Sequence, residues 1–176
     1  PSNWIELHRA ADGALRCDFA RFDRWIEMCE SCGVCDRIEI TQLGGCDREA
    51  GAIVLSAWSV RDDATGETAS APAREALTVL LPALQEHLRE RGWLERTLLH
   101  IADEPFVQSV PAFRETAAWV RSLAPEIRLI DAIEAPDFGD SLDVWVPKLS
   151  HFNHWMDTYR EAQRNGAEMW FYTCCH

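Results

Sequence analysis

The sequence has no cluster of basic residues. Lys and Arg together number 17 against 29 Asp and Glu, which gives a formal net charge of −12. Because nucleic acids and anionic membranes attract basic patches, we expect neither as a partner. No apolar run is long enough to span a membrane, and the first residues do not resemble a signal peptide. The chain begins with proline rather than methionine, so we expect a trimmed amino end and assign no compartment.

The sequence also lacks a disulfide framework and a convincing set of metal ligands. Seven cysteines cannot all pair, and their spacing is not that of a small secreted domain. Cys29, Cys32 and Cys35 form a C-x2-C-x2-C motif, but Cys46 does not have the spacing of a fourth cluster ligand. We interpret these thiols as small buried side chains and expect no metal and no cofactor. Weaker metal candidates are His151 with His154, and Cys174 and Cys175 with His176.

Helical and strand patterns alternate along the chain, which predicts an α/β fold with parallel strands. The apolar residues that recur at helical spacing indicate helices at about 18–32, 70–91, 111–123 and 150–165, with Pro82 expected to kink or split the second. We predict a strand or a hairpin at 52–60 and a loop at 62–71. The predicted strands of the sheet lie at 37–43, 97–102, 127–133, 143–148 and 169–174.

A barrel is favoured over an open nucleotide-binding sheet because no glycine-rich phosphate loop follows any strand. Acidic and aromatic residues instead stand near several strand ends, as they do at the mouth of a (β/α) TIM-type barrel. A complete barrel needs roughly 250 residues, and the chain has 176. We therefore expect residues 1–176 to be one domain, the carboxyl-side portion of an incomplete barrel. The rest of a longer parent chain, or another copy, would supply the missing strands.

Two adjacent acids follow the most apolar of these strands. Asp103 and Glu104 come directly after Leu98, Leu99, Ile101 and Ala102. The carboxyl end of a strand in a βα repeat is where active sites are built. Pro105 should push Glu104 into an extended conformation and so direct its side chain. The alternative is that the two acids only complement the amino end of the following helix. His100, inside the strand, is expected to be a hydrogen-bonded core residue.

Three segments of the sequence resemble the catalytic barrel of glycoside hydrolase family 123. They are Cys17–Ile26 (CDFARFDRWI), His100–Pro105 (HIADEP) and Trp170–His176 (WFYTCCH). The resemblance implies that the chain is part of an enzyme that removes β-linked N-acetylgalactosamine, with Asp103 and Glu104 as its catalytic pair. It also implies a carbohydrate as the binding partner.

Adjacent acids cannot easily flank a glycosidic bond, but they can act together if the substrate supplies the nucleophile. Asp103 would then orient the 2-acetamido group, and Glu104 would protonate the leaving oxygen and later activate water. The remaining candidates for substrate contact lie at strand ends and comprise Tyr172, Trp145, Trp170, Asp131 and His176. Two alternatives stay open: a non-catalytic carbohydrate-binding barrel, and a glycosidase with Glu104 as acid and Asp131 or Glu39 opposite it.

Overall fold

The computed structural model describes residues 4–173. Within that range it contains eleven strands and four α-helices. The strands are β1 (Glu6–Arg9), β2 (Leu15–Asp18), β3 (Ile38–Ile40), β4 (Gly44–Asp47), β5 (Ala52–Leu55), β6 (Trp58–Asp62), β7 (Thr68–Ala71), β8 (Thr97–Leu99), β9 (Arg128–Ile133), β10 (Val144–Pro147) and β11 (Glu168–Met169). The helices are α1 (Ala20–Ser31), α2 (Ala73–Glu90), α3 (Val110–Leu123) and α4 (Phe152–Arg164).

The chain divides into two compact units. The first comprises Pro1–Ile38 and Leu55–Arg96, and the second comprises Glu39–Val54 and Thr97–His176. The expectation of one domain over residues 1–176 stays a prediction.

The first unit contains a four-stranded sheet in the order β2-β1-β6-β7. β1 pairs antiparallel with β2 and parallel with β6, and β6 pairs antiparallel with β7. Helix α2 buries an apolar face because its large aliphatic residues recur three and four positions apart. The buried residues of that face are Ala76, Leu77, Leu80, Leu81, Leu84 and Leu88.

Two expectations for this unit were wrong. The predicted loop at 62–71 contains β7, because Asp62 accepts hydrogen bonds from the Ala64 and Thr65 amides at 2.9 Å and thereby turns the chain back. The residues of Thr68–Ala71 are small or polar and do not show the alternation of apolar and polar side chains that is typical of a strand. Their strand conformation therefore depends on pairing with β6. Helix α2 is also not split at Pro82, which lies on its exposed face, where water can bind the carbonyl that the proline leaves free.

The second unit contains a parallel five-stranded sheet in the order β11-β10-β9-β8-β3. The strands fall within the predicted segments but are shorter, except that β11 begins one residue earlier. A bridge between Lys148 and Tyr172 continues the sheet beyond β11. One face buries Leu98, Ile130 and Val144, against which Trp170 packs. Large aromatic side chains from β10, α3, α4 and the β9–β10 connection, namely Phe113, Phe138, Trp145 and Tyr159, form a second buried group.

The α/β class with parallel strands is confirmed. The strand order is linear, so the sheet is open within residues 4–173, with β3 and β11 as its edges. The TIM-type barrel is therefore not seen in the described part of the chain and stays a prediction. None of the described helices is both long enough and apolar enough to cross a lipid bilayer.

Candidate active site

Three segments continue side by side beyond the carboxyl ends of the parallel strands. The amide of Glu134 donates a hydrogen bond to the carbonyl of Pro105 at 2.9 Å, and Phe106 forms a parallel bridge with Glu134. The amide of Tyr172 donates to Pro147 at 3.2 Å, which holds the last segment against the end of β10. These backbone contacts bring side chains from three different connections to one edge of the sheet, as expected for parallel strands.

Glu104 and Tyr172 meet at this edge. The Tyr172 hydroxyl donates a short hydrogen bond of 2.5 Å to Glu104 Oε1. Arg48 Nη2 lies 3.6 Å from the other oxygen, Oε2, and the Glu104 side chain is 27% exposed. The carboxyl group is therefore fixed through one oxygen and remains accessible. The structure thus brings together Glu104 and Tyr172, two of the predicted site residues, from distant parts of the sequence.

The backbone of Glu104 does not have the extended conformation that Pro105 led us to expect. Its φ is +48°, in the left-handed region, where it is the one non-glycine residue among those described. A left-handed conformation costs an ordinary residue roughly 1–2 kcal/mol. The contact of its side chain with Tyr172 and the pairing of the following residues, Pro105 and Phe106, with Glu134 hold the chain in this turn. In this turn the carboxyl group of Glu104 accepts the hydrogen bond of Tyr172.

Arg48 is a member of this group that the sequence did not suggest. It lies in the turn between β4 and β5, where Asp47 accepts hydrogen bonds from the Glu49 and Ala50 amides at 2.9 Å each. Gly51 ends the turn with a φ of +64°, and a Cβ there would stand 3.0 Å from the Gln108 carbonyl oxygen. Arg48 Nη2 also lies 3.1 Å from Glu134 Oε2, and the guanidinium stacks over Phe106 at 5.2 Å. A lone arginine in a loop gave no sequence signal.

Asp103 has a different environment from its neighbour. Its side chain is exposed, whereas Glu104 is partly buried. The negative charge of Asp103 contributes to raising the pKa of the Cys46 thiol, although burial of that thiol is the larger cause. The predicted acid pair therefore stands at one strand end with one carboxylate fixed and one exposed.

Asp131, which was predicted to contact substrate or to act as a second acid, is buried, and that role stays a prediction. Its side chain is 0% exposed. Oδ2 accepts hydrogen bonds from the amides of Ile101 and Ala102 at 3.0 and 3.2 Å, and Oδ1 lies 3.1 Å from His100 Nδ1. Burial raises the pKa of Asp131 to about 6, against the opposing effects of these hydrogen bonds and of the His100 charge. Asp131 therefore holds the backbone that leads into Asp103.

His100 joins Asp131 to Glu39. Burial acts to lower the pKa of His100, but hydrogen bonding and charge from Asp131, with a smaller effect of Glu39, raise it overall. The Glu39 carboxylate lies 3.4 Å from His100 Nε2. Glu39, the other predicted opposite acid, is thus bound to the histidine, and its role opposite Glu104 stays a prediction. The prediction that His100 is a hydrogen-bonded core residue is confirmed.

The two tryptophans predicted to contact substrate, Trp145 and Trp170, are engaged in packing. Trp145 is 2% exposed, donates a hydrogen bond to the Leu142 carbonyl at 3.3 Å and packs edge-on against Phe138 and Tyr159. Trp145 is therefore part of the packed core, and its contact with substrate stays a prediction. Trp170 is half-buried and donates to Glu168 at 2.8 Å while it packs on the sheet. His176 lies outside the described residues.

A recess of about 670 Å³ lies at the other end of β10, lined by Asp143, Trp145, Glu161, Asn165 and neighbouring residues. Asp103, Glu104 and Tyr172 are not part of its lining. The recess is formed by the end of α4 and the β9–β10 connection, which carry none of the convergent acids described above. We therefore place the candidate site at the Glu104 edge. The sulfurs of Cys29, Cys32 and Cys35 do not form a group with metal-ligand spacing in the described part of the chain.

Comparison with protein-family models identifies the family of the chain. The model of the glycoside hydrolase 123 catalytic domain matches residues 1–176. The chain belongs to glycoside hydrolase family 123. No curated protein sequence matches it. Membership confirms the resemblance of the three sequence segments.

A solved structure shares the fold of this family-123 chain. It is a family 123 glycoside hydrolase from Clostridium perfringens, studied for glycolipid glycan hydrolysis, and it aligns with a TM-score of 0.73 at 18% identity. The alignment covers 97% of the present chain and 32% of the Clostridium protein. The chain therefore spans about a third of that relative.

Proposed function

We propose that this chain carries the acid/base residues of a glycoside hydrolase that cleaves β-linked N-acetylhexosaminides, with N-acetylgalactosamine as the first candidate sugar. One observation supports this proposal above the others: Glu104 is held by the Tyr172 hydroxyl and remains 27% exposed beside Asp103. A general acid must be positioned and must still reach the leaving oxygen. Family membership supports the reaction class.

The proposed reaction is substrate-assisted and retains the anomeric configuration. Asp103 accepts a hydrogen bond from the acetamido N–H and orients the acetamido oxygen, which forms a bond with the anomeric carbon. The bond from that carbon to the leaving oxygen breaks, and Glu104 gives its proton to the leaving oxygen. Water then attacks the anomeric carbon of the oxazolinium ion, and Glu104 takes a proton from the water. The acetamido group is restored and the free sugar leaves.

The arrangement of Glu104 and Glu134 favours a second candidate mechanism. Their Oε2 atoms lie 3.6 and 3.1 Å from the same Arg48 nitrogen, so their separation cannot exceed those two distances combined. That limit is compatible with the roughly 5–5.5 Å between the carboxyl groups of conventional retaining glycosidases. Glu134 would then be the nucleophile, in place of the acetamido oxygen. This candidate requires no acetamido group on the substrate.

We further propose that the open parallel sheet is part of a (β/α) barrel completed by the rest of a longer parent chain or by another copy. The strand order supports this, since β3 and β11 are left as edges in residues 4–173. An unpaired strand edge exposes backbone donors and acceptors that other strands can bind. Activity should accordingly be measured with the full-length parent protein.

The experiment compares two substrates that differ only at carbon 2. The parent protein is assayed with 4-nitrophenyl β-N-acetylgalactosaminide and with 4-nitrophenyl β-galactoside, and with the corresponding gluco compounds. Substrate assistance predicts turnover of the acetamido sugars alone. Comparable kcat/KM for the plain galactoside would contradict it and favour Glu134 as nucleophile, and Glu134→Gln should then abolish turnover. Binding of the sugars without any turnover would contradict both mechanisms and indicate a non-catalytic carbohydrate-binding barrel.

A further inference from the structure

Two paired strands of the first unit bring three potential metal ligands to one place. Glu6 and His8 are two residues apart on β1, so their side chains lie on the same face of the sheet. Asp18 on β2 is the direct partner of Glu6 in the antiparallel register. One ligand atom from each of the three side chains lies within 4.8 Å of the other two. This group is separate from the candidate active site.

The orientation of His8 indicates which ring nitrogen faces the group. Nδ1 lies 2.8 Å from Asp63 Oδ1. A carboxylate only accepts hydrogen bonds, so Nδ1 carries the proton and the Nε2 lone pair is free in the neutral ring. Nε2 is buried from solvent and has no hydrogen-bond partner among residues 4–173, where its nearest carboxylate oxygen is Glu6 Oε2 at 3.8 Å. A histidine that binds a metal through one ring nitrogen commonly donates the N–H of its other ring nitrogen to a carboxylate. The contact of His8 Nδ1 with Asp63 has this arrangement.

In each of the two acids, one carboxylate oxygen accepts a hydrogen bond from the protein and the other oxygen is available for a ligand. Arg21 donates to Glu6 Oε1 at 2.7 Å, and the amide of Ala20 donates to Asp18 Oδ1 at 2.7 Å. These donors fix the carboxylates and leave Glu6 Oε2 and Asp18 Oδ2 for a ligand. Arg16, opposite His8 on β2, is directed elsewhere, since it is 68% exposed and lies 3.6 Å from Asp12. The group thus offers one nitrogen and two oxygens, each supported from behind.

A buried imidazole nitrogen without a partner destabilises the folded state. A cation at this position would remove that cost and offset the repulsion between Glu6 and Asp18. One imidazole with two carboxylates suits divalent first-row ions better than Mg²⁺ or Ca²⁺, which prefer oxygen ligands alone. We propose that Glu6, His8 and Asp18 bind a divalent first-row transition ion such as Zn²⁺ or Mn²⁺, with Asp63 as the support of His8 and water completing the coordination. The ion would tie β1 to β2 at the point where β2 leads into α1.

Titration of the metal-free parent protein tests this site. Zn²⁺ added in a calorimeter should bind with a saturable component that His8→Gln weakens at least 100-fold. Asp63→Asn should weaken it by about 10–100-fold, the usual effect of losing a supporting carboxylate. Glu115→Gln, which changes an exposed acid on α3, is the matched control and should have no effect. Equal affinity in the parent protein and in folded His8→Gln would overturn the proposal.

A second measurement uses the unmodified protein and so does not depend on the folding of a variant. Substoichiometric Mn²⁺ should broaden the amide NMR signals of residues 6–8 and 17–19 before any others. Broadening spread evenly over the acidic surface, or centred on another group, would overturn the proposal. The result is independent of glycosidase activity, because the group shares no residue with Glu104 and its partners.

Discussion

Replacement of Asp131 is expected to cost more stability than any change at the exposed acids. The carboxylate is fully buried and accepts two backbone hydrogen bonds and the contact of His100. Asp131→Ala would leave the Ile101 and Ala102 amides and His100 Nδ1 in a dry environment without an acceptor. Each unsatisfied group costs about 1–3 kcal/mol, and loss of one member of a buried charged pair costs roughly 3–5 kcal/mol. We therefore expect the free energy of unfolding to fall by about 3–5 kcal/mol.

Asp131→Asn provides the matched comparison. The amide oxygen can still accept from both backbone N–H groups, and its NH₂ can donate to Nδ1 of a neutral His100 whose proton has moved to Nε2. Asn should therefore cost clearly less than Ala. Guanidinium chloride unfolding of the parent and of both variants measures the difference. A cost of less than about 1 kcal/mol for Asp131→Ala would refute the assignment of Asp131 as the acceptor that holds residues 101–102.

The raised pKa of Asp131 leads us to expect that the free energy of unfolding depends on pH. The folded-state pKa of Asp131 is raised from 3.8 to about 6, so the folded protein binds more protons than the unfolded chain between those values. The contribution of Asp131 to the free energy of unfolding therefore falls as the pH rises from about 4 to about 6. The raised pKa of His100 acts in the same direction, since its contribution is lost as the pH rises through a value above 6.5. Asp131→Asn should remove the first effect and weaken the second, to which Glu39 also contributes, and an unchanged pH profile would contradict this.

Three other predictions concern the acid pair and its partners. Tyr172→Phe removes a hydrogen bond to a carboxyl group, worth about 1.5–3 kcal/mol, and should lower kcat/KM by roughly 10–100-fold without changing the fold; unchanged activity would contradict the role of the hydroxyl. Glu104→Gly should be more stable to denaturant than Glu104→Ala by about 1 kcal/mol, because only glycine adopts a φ of +48° without strain; equal stability would show that the turn is unstrained. Asp103→Asn should lower hydrolysis of N-acetyl sugars by on the order of 10²–10⁴, and thiazoline analogues of the oxazolinium ion should inhibit the parent enzyme; failure of both would favour Glu134 as nucleophile.

The sequence predicted the central sheet because its strands are local patterns. Leu98, Leu99, Ile101 and Ala102 form an apolar run, and all four residues are buried. The same locality explains why the acids at the end of this run could be identified. The four-stranded sheet of the first unit was harder to predict, because β7 consists of small residues whose conformation depends on β6.

The parts of the site that were missed depend on long-range contacts. Arg48 reaches Glu104 and Glu134 from a turn about 56 and 86 residues away in the chain, and nothing in its neighbours indicates this. Asp131 lies in a predicted strand and looked like an acid at a strand end, yet it is buried, where it accepts hydrogen bonds from the Ile101 and Ala102 amides. The left-handed turn at Glu104 contradicts the local preference of a residue before proline, since tertiary contacts hold it.

The central claim is that Glu104 donates the proton to the leaving oxygen. The most direct test uses the Glu104→Gln variant of the full-length parent protein. Its kcat/KM is measured for two β-N-acetylgalactosaminides that differ only in the leaving group, an alkyl glycoside and the 2,4-dinitrophenyl glycoside. The alkyl glycoside needs protonation, and its kcat/KM should fall by on the order of 10²–10⁴, while the 2,4-dinitrophenyl glycoside needs little help and should lose far less. Glu115→Gln should behave as the unmodified enzyme on both. An equal loss on both substrates, or no loss on either, would contradict the assignment of Glu104 as general acid.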